Sequence, residues 1–260
     1  MGRGSAYFDT HCHLQDARFE VDLDAVILRA RAAGVTYLVC CGTRESDWEA
    51  VLELSRRQTN LLPMLGLHPW YAQEAQSGWL ERLAKHAGTN RIGIGECGLD
   101  FAINQPDRER QEAVFREQVR LACTLNRPLS IHCRRAWERL ALIAQEEGLP
   151  AAGAVIHAFS GSAETARELQ ALGFHLAFGC SLTNPGNRRA AKAVAAVAED
   201  RLLFETDAPD IPPFGTGVRN EPANLVLALE SAARLRNMDL STLAALAYKN
   251  SERIFGGLIR

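Results

Sequence analysis

Eight short apolar runs rich in β-branched and aromatic residues recur along the chain, each followed by a stretch with apolar residues at helical spacing. The runs are AYFDTH, YLVCCGT, LLPMLGLHP, RIGIGECGLD, PLSIHC, AVIHAFS, FHLAFGC and LLFETDAP. Strand–helix alternation of this kind implies parallel pairing through right-handed crossovers. The chain has 260 residues, close to the length typical of a (β/α)8 barrel, about 250. The expected fold class is therefore α/β, a (β/α)8 TIM barrel occupying residues 1–260 as a single domain; a doubly wound open sheet is the competing architecture. Helical periodicity is clearest over 23–33 and 108–125, and Gly34, Gly148 and Gly173 stand where helices commonly stop. Residues 209–221, rich in Pro and Gly, read as a loop after the last strand.

The formal net charge of −2 excludes a chain that binds nucleic acid or membrane through bulk charge, although a local basic groove is compatible with it. Seven cysteines are scattered without a CxxC pair, a usage that suits a reducing compartment. The leader MGRGSAY has no hydrophobic core, no run is long enough to span a membrane, and the expected location is cytoplasmic.

The polar residues fall at one end of the strand candidates. Side chains alternate along a strand, so in FDTHCH the imidazoles of His11 and His13 share a face, Cys12 points away, and Asp9 lies one step deeper. Glu96 ends RIGIGE, His132 ends LSIH, His157 ends AVIH, and Asp207 ends LLFETD with Glu205 one step deeper. In a barrel those ends converge on one mouth, where active sites of this fold lie. A lone histidine near a strand end is ordinarily a hydrogen-bonded or surface residue. Six ligand-type groups at matching ends of strands 1, 4, 5, 6 and 8 point instead to a metal centre. Four imidazoles and two carboxylates suit Zn, Mn or related ions better than an all-oxygen site does. Six groups exceed one tetrahedral site, so two divalent ions roughly 3.5–4 Å apart are expected, with Glu96 as the natural bridge.

The ordered set FDTHCH, GLHP, IGECGLDF, IHCRR, HAFSGS, ETDAPDIP and RNEP resembles the TatD-like metal-dependent hydrolases, a family of the amidohydrolase-type barrels that includes deoxyribonucleases. The resemblance implies a distorted (β/α)8 barrel with one to three divalent ions, of Zn, Mg or Mn type, that hydrolyses phosphodiesters. It implies that His11, His13 and Asp207 hold one ion, that His132 and His157 hold a second, and that Glu96 bridges them. Two departures border the mouth: Trp70 stands where many members have a second histidine (HPW for HPH), and Cys133 stands where many have serine.

From these residues we expect Glu96 and Asp207 to be catalytic, Asp207 by accepting a proton from the attacking water. His68, Arg134 and Trp70 are the expected substrate contacts. Asp9 and Glu205 are expected to accept the free N–H of ligating imidazoles. A wider set at the mouth, Arg44, Arg108, Arg135 and Arg219 with Tyr71, Phe101, Phe159 and Phe214, suits a single-stranded DNA 3′ end, and hence a 3′–5′ exodeoxyribonuclease. The same metal pair would also serve an amidohydrolase, esterase or lactonase acting on a small metabolite or an aminoacyl-RNA ester. A scaffold without activity would be expected to lack a ligand, and here all six are present.

Overall fold

The structure, a computed structural model, describes residues 6–217 and 219–259. Most of the polar leader, Val218 in the 209–221 loop and Arg260 lie outside the described residues. Eight strands, β1 (Tyr7–Cys12), β2 (Val35–Cys41), β3 (Leu61–Leu65), β4 (Gly93–Asp100), β5 (Leu129–Arg134), β6 (Ala154–Ile156), β7 (His175–Phe178) and β8 (Leu202–Phe204), form one parallel sheet in sequential order. Between them run α1 (Leu23–Ala32), α2 (Glu45–Arg57), α3 (Trp79–Thr89), α4 (Arg108–Leu125), α5 (Trp137–Glu147), α6 (Ala163–Ala171) and α7 (Arg188–Ala196), and after β8 come α8 (Leu225–Arg236) and α9 (Leu240–Phe255). The eight expected runs are the eight strands, in the order of a barrel and not of a doubly wound sheet.

The seam between β8 and β1 is irregular. Among the described residues, β1 meets the segment that follows β8 through an isolated bridge, Cys12 to Ala208, and through separate bonds. The His13 N–H donates to the Ala208 carbonyl at 2.7 Å, and the Asp207 N–H to that of His11 at 2.9 Å. The Thr10 hydroxyl donates to the Phe204 carbonyl at 3.0 Å. The barrel is thus closed but distorted.

Two strands differ from their expected form. LLFETD is not one strand ending at Asp207: β8 stops at Phe204, and Asp207 sits in the left-handed region at φ 58°. Nor does Glu96 end β4, which continues to Asp100 with a register shift against β5 between Ile94 and Cys97. The shift falls at Glu96 and is the local irregularity that bulges commonly supply next to active sites.

The sequence explains the helices by their ends and faces. Asp107 caps α4 by accepting from the Arg110 N–H at 2.9 Å, and Asn126 closes it in the left-handed conformation. Val114, Phe115, Gln118, Val119 and Ala122 make its buried face, at helical spacing. Gly34, Gly148 and Gly173, the expected stops, follow α1, α5 and α6, all with positive φ. Inside the barrel, Phe8, Val39, Cys41, Leu62, Met64, Val155, Ala177 and Leu203 form a separate cluster with Ile254, Phe255 and Leu258. The C-terminal helix therefore packs its end onto the barrel interior, with Phe255 stacked 6.0 Å from Phe8. That apolar plug leaves the polar side chains to the opposite end. Among the described residues no helix is long and apolar enough to cross a membrane.

Gly98 fixes how closely β4 and β5 run beside the histidine of β5. Its φ is +133°, and a Cβ there would stand 2.0 Å from the His132 carbonyl oxygen. Gly98→Ala is expected to destabilise the protein by roughly 2 kcal/mol or more. The urea midpoint checks this, and an unchanged midpoint would contradict the close approach.

Candidate metal centre

Glu96 stands at the centre of the mouth, buried, with each carboxylate oxygen facing a different set of imidazoles. Oε2 lies 3.3 Å from His11 Nε2 and 3.3 Å from His13 Nε2. Oε1 lies 2.8 Å from His157 Nε2, 3.1 Å from His68 Nε2 and 3.3 Å from His132 Nδ1. Asp207 Oδ1 completes the first side, 3.5 Å from His13 Nε2 and 3.8 Å from His11 Nε2. All six residues read from the sequence as ligands meet here, and His68 joins them.

Contacts behind the rings decide which nitrogen each presents. The Cys41 carbonyl can only accept, so His13 donates to it from Nδ1 at 2.8 Å and turns a bare Nε2 inward when neutral. His11 places Nδ1 2.9 Å from Ser130 Oγ and also directs Nε2 inward. His132 is reversed: its Nε2 meets Asp100 Oδ2 at 3.1 Å, which leaves Nδ1 for the centre. His157 Nδ1 faces Glu205 Oε1 at 3.6 Å, and that oxygen also accepts the Ala158 N–H at 2.5 Å. Such outer carboxylates set the tautomer and orientation of an imidazole.

Asp9 does not do this. Its carboxylate accepts from the Thr206 N–H at 2.9 Å, the Thr206 hydroxyl at 2.6 Å and, more weakly, the His11 N–H at 3.3 Å. It ties the β8–β1 seam instead of orienting a ring, and the irregular register of β1 between Asp9 and Cys12 is why alternation misplaced it. Asp100 is the group behind His132. The signal was available: it lies four residues beyond Glu96 in the same strand, at the mouth end. Cys12 does point away, with its thiol against the Val39 carbonyl.

Charge at the centre is unbalanced in an instructive way. Burial opposes ionisation of Glu96, yet the imidazoles of His157 and His68, followed by His11 and His13, hold it well below the usual carboxylate range. Burial likewise opposes Asp207, and His13 chiefly pulls it down. Burial disfavours the cation of His13, but Asp207 and Glu96 outweigh it and raise its pKa well above the ordinary value. His11 is lowered to about 4 by burial and by His157. The Nε2 atoms of His11 and His13 are only 3.1 Å apart and both aim at carboxylate oxygens. A proton or a cation must lie among them, because bare lone pairs so placed repel. Two imidazoles and a carboxylate on one side, two imidazoles and a carboxylate on the other, and no thiolate make a donor set that fits divalent metal. Among the described residues, three such groups have donor atoms within 4.8 Å of one another: His11, His13 and Asp207; His11, Glu96 and His157; and His68, Glu96 and His132.

His68 has a part beyond the one expected. The Trp70 N–H donates to its Nδ1 at 3.1 Å, so neutral His68 carries its proton on Nε2 and donates it to Glu96. Burial lowers its pKa to about 4, which keeps it neutral. It steadies Glu96 from the wall of the mouth cavity. Arg134 and Trp70 do line the mouth cavity of about 930 Å³, together with Arg44, Tyr71, Cys133 and the unforeseen Arg18. Other expected mouth residues are elsewhere: Arg219 pairs with Asp22 at 2.7 Å and covers Phe19, while Phe159 is buried between Trp137 and Phe178. Arg108 lies over Phe101, 4.7 Å from its ring, and neither they nor Arg135 and Phe214 line the cavity.

A parallel barrel with a buried histidine–carboxylate cluster at the C-terminal ends of its strands is the architecture of a metal-dependent hydrolase. Residues 8–256 match the family described as TatD related DNase, and the chain belongs to that family. It is 35% identical to the uncharacterized metal-dependent hydrolase YabD of Bacillus subtilis, over 95% of this chain and 98% of that one. It is 34% identical to the 3′-5′ ssDNA/RNA exonuclease TatD of Escherichia fergusonii, over 96% of this chain and 98% of the relative. Among solved structures, the TatD homologue YjjV of Escherichia coli superposes with a TM-score of 0.92 at 31% identity, covering 96% of this chain and 98% of that one.

Metal that binds only the folded state must stabilise it. Adding Zn or Mn to metal-stripped protein, to about a hundred-fold above Kd, is expected to raise Tm by roughly 5 °C or more. His13→Ala should lose most of that rise. An equal rise in the variant would place the bound ion elsewhere.

Proposed function

We propose that this enzyme is a 3′–5′ exonuclease that shortens single-stranded DNA, with two divalent ions held at the mouth of the barrel. His11, His13 and Asp207 would hold one ion and His132 and His157 the other, with the Glu96 carboxylate available to both. The observation that carries the reading is the division of the Glu96 carboxylate, Oε2 towards His11 and His13 and Oε1 towards His132 and His157. Relatives named as single-stranded DNA and RNA exonucleases support the choice of substrate. Scattered, unpaired cysteines accord with a cytoplasmic setting.

Bound divalent ions would supply a water of lowered pKa and neutralise charge gathering on the phosphoryl oxygens. Asp207 lines the cavity and is held ionised, so it can accept a proton from the attacking water at its carboxylate. His68 donates to Glu96 Oε1, and Asp100 holds His132, so both keep donor atoms aimed at the centre. Arg134 and Arg44, cationic on the cavity wall, face the place where a phosphodiester backbone would enter. Arg18 is committed to Asp16 and Asp210 and contributes less net charge.

Asp207→Asn is expected to lower kcat by ~10²-fold or more on a 5′-labelled single strand, with bound metal retained as measured by elemental analysis. Near-normal turnover with metal still bound would remove Asp207 from the proton transfer. A wild-type enzyme that leaves DNA intact but cleaves esters or lactones would keep the centre and overturn the substrate.

A further inference from the structure

Trp70 is 54% exposed on the cavity rim, yet it is held in place at two points. Its indole Nε1–H donates to Asp100 Oδ2 at 2.8 Å, and its backbone N–H donates to His68 Nδ1 at 3.1 Å. The ring plane stands steeply to its neighbours: His68 at 82° with centroids 4.9 Å apart, and His132 at 67° and 6.3 Å. Among the described residues no ring stacks on its face and no guanidinium lies over it. An exposed tryptophan pinned at its indole N–H, with no ring stacked parallel on it, has already lost freedom that binding would otherwise cost.

The surroundings favour one kind of occupant. Arg44 lies over the Tyr71 ring at 4.8 Å and shares the cavity wall with Trp70. Arg134 closes β5 on the same wall, and among the described residues no carboxylate pairs with it. A planar, apolar face beside two cationic groups matches a nucleobase attached to its phosphates: the face stacks on the base and the cations meet the backbone. The ring also lies within 6.3 Å of His132, so a base stacked on it would sit beside the reacting phosphodiester and not in a remote groove.

We propose that Trp70 is a base-stacking platform that makes this enzyme prefer a single-stranded end whose base next to the scissile bond is present and unpaired. The proposal rests on the nuclease reading above and adds to it the feature of the substrate that is recognised. A duplex end cannot offer a base face without unpairing, so the platform disfavours it.

The test compares wild type, Trp70→Ala and Trp70→Phe on three 5′-labelled single strands: one intact, and two abasic at either nucleotide flanking the first scissile bond. With intact DNA, Trp70→Ala should raise KM roughly ten-fold and leave kcat within about two-fold, whereas Trp70→Phe, which keeps the ring face, should retain most of the affinity. For wild type, one of the two abasic strands should bind about as poorly as the intact strand does to Trp70→Ala, and that strand should show no further loss in the variant. Equal losses from Trp70→Ala on intact and both abasic strands would overturn the platform. So would a fall in kcat shared by the Ala and Phe variants with KM unchanged, which would assign Trp70 to positioning His132 through Asp100. A wild-type enzyme that cuts none of the three strands would overturn the nuclease reading itself, and the platform with it.

Discussion

One buried carboxylate organises the mouth of this barrel. Five imidazole nitrogens lie within 3.3 Å of Glu96, drawn from β1 and its end, the loop after β3, β5 and the end of β6. A carboxylate so buried is costly unless its charge is met, and here every element that approaches it brings a group that meets it. The irregularities of the fold serve that convergence. The register shift in β4 brings Glu96 inward before the strand has ended, and the early stop of β8 frees Glu205 and Asp207 to reach two different sides of the centre.

The opposite end of the barrel makes this affordable. Phe8, Leu62, Val155 and Leu203 pack with Phe255 and Leu258 in an apolar layer beneath the centre. Burial of each such aromatic or leucine contributes on the order of 2 kcal/mol, so the polar mouth is carried by an apolar base. The outer groups Asp100, Glu205 and His68 then act on orientation: they fix which nitrogen or oxygen each inner residue presents.

Much of this was legible in the sequence because strand alternation and the strand C-terminal rule are geometric. FDTHCH, LSIH and AVIH gave His11, His13, His132 and His157 directly, and the eight apolar runs gave the barrel. The rest was hidden where local rules fail. Alternation placed Asp9 beneath the histidines, but β1 is irregular there and Asp9 bonds Thr206 across the seam. Glu96 was found for the wrong local reason, since β4 runs past it. The support that His68 gives Glu96 was not legible, because nothing in GLHP reveals that the backbone N–H of Trp70 fixes its tautomer. Arg219 and Phe159 looked available because ion pairing and core packing are tertiary facts.

The most direct test is anomalous diffraction from crystals of the full chain soaked in Mn. Two peaks are predicted, each within coordination distance of a different Glu96 oxygen, one beside His11, His13 and Asp207 and the other beside His132 and His157; both should vanish in Glu96→Ala crystals. Peaks away from Glu96, or a pair that persists in the variant, would contradict the bridge on which the account rests.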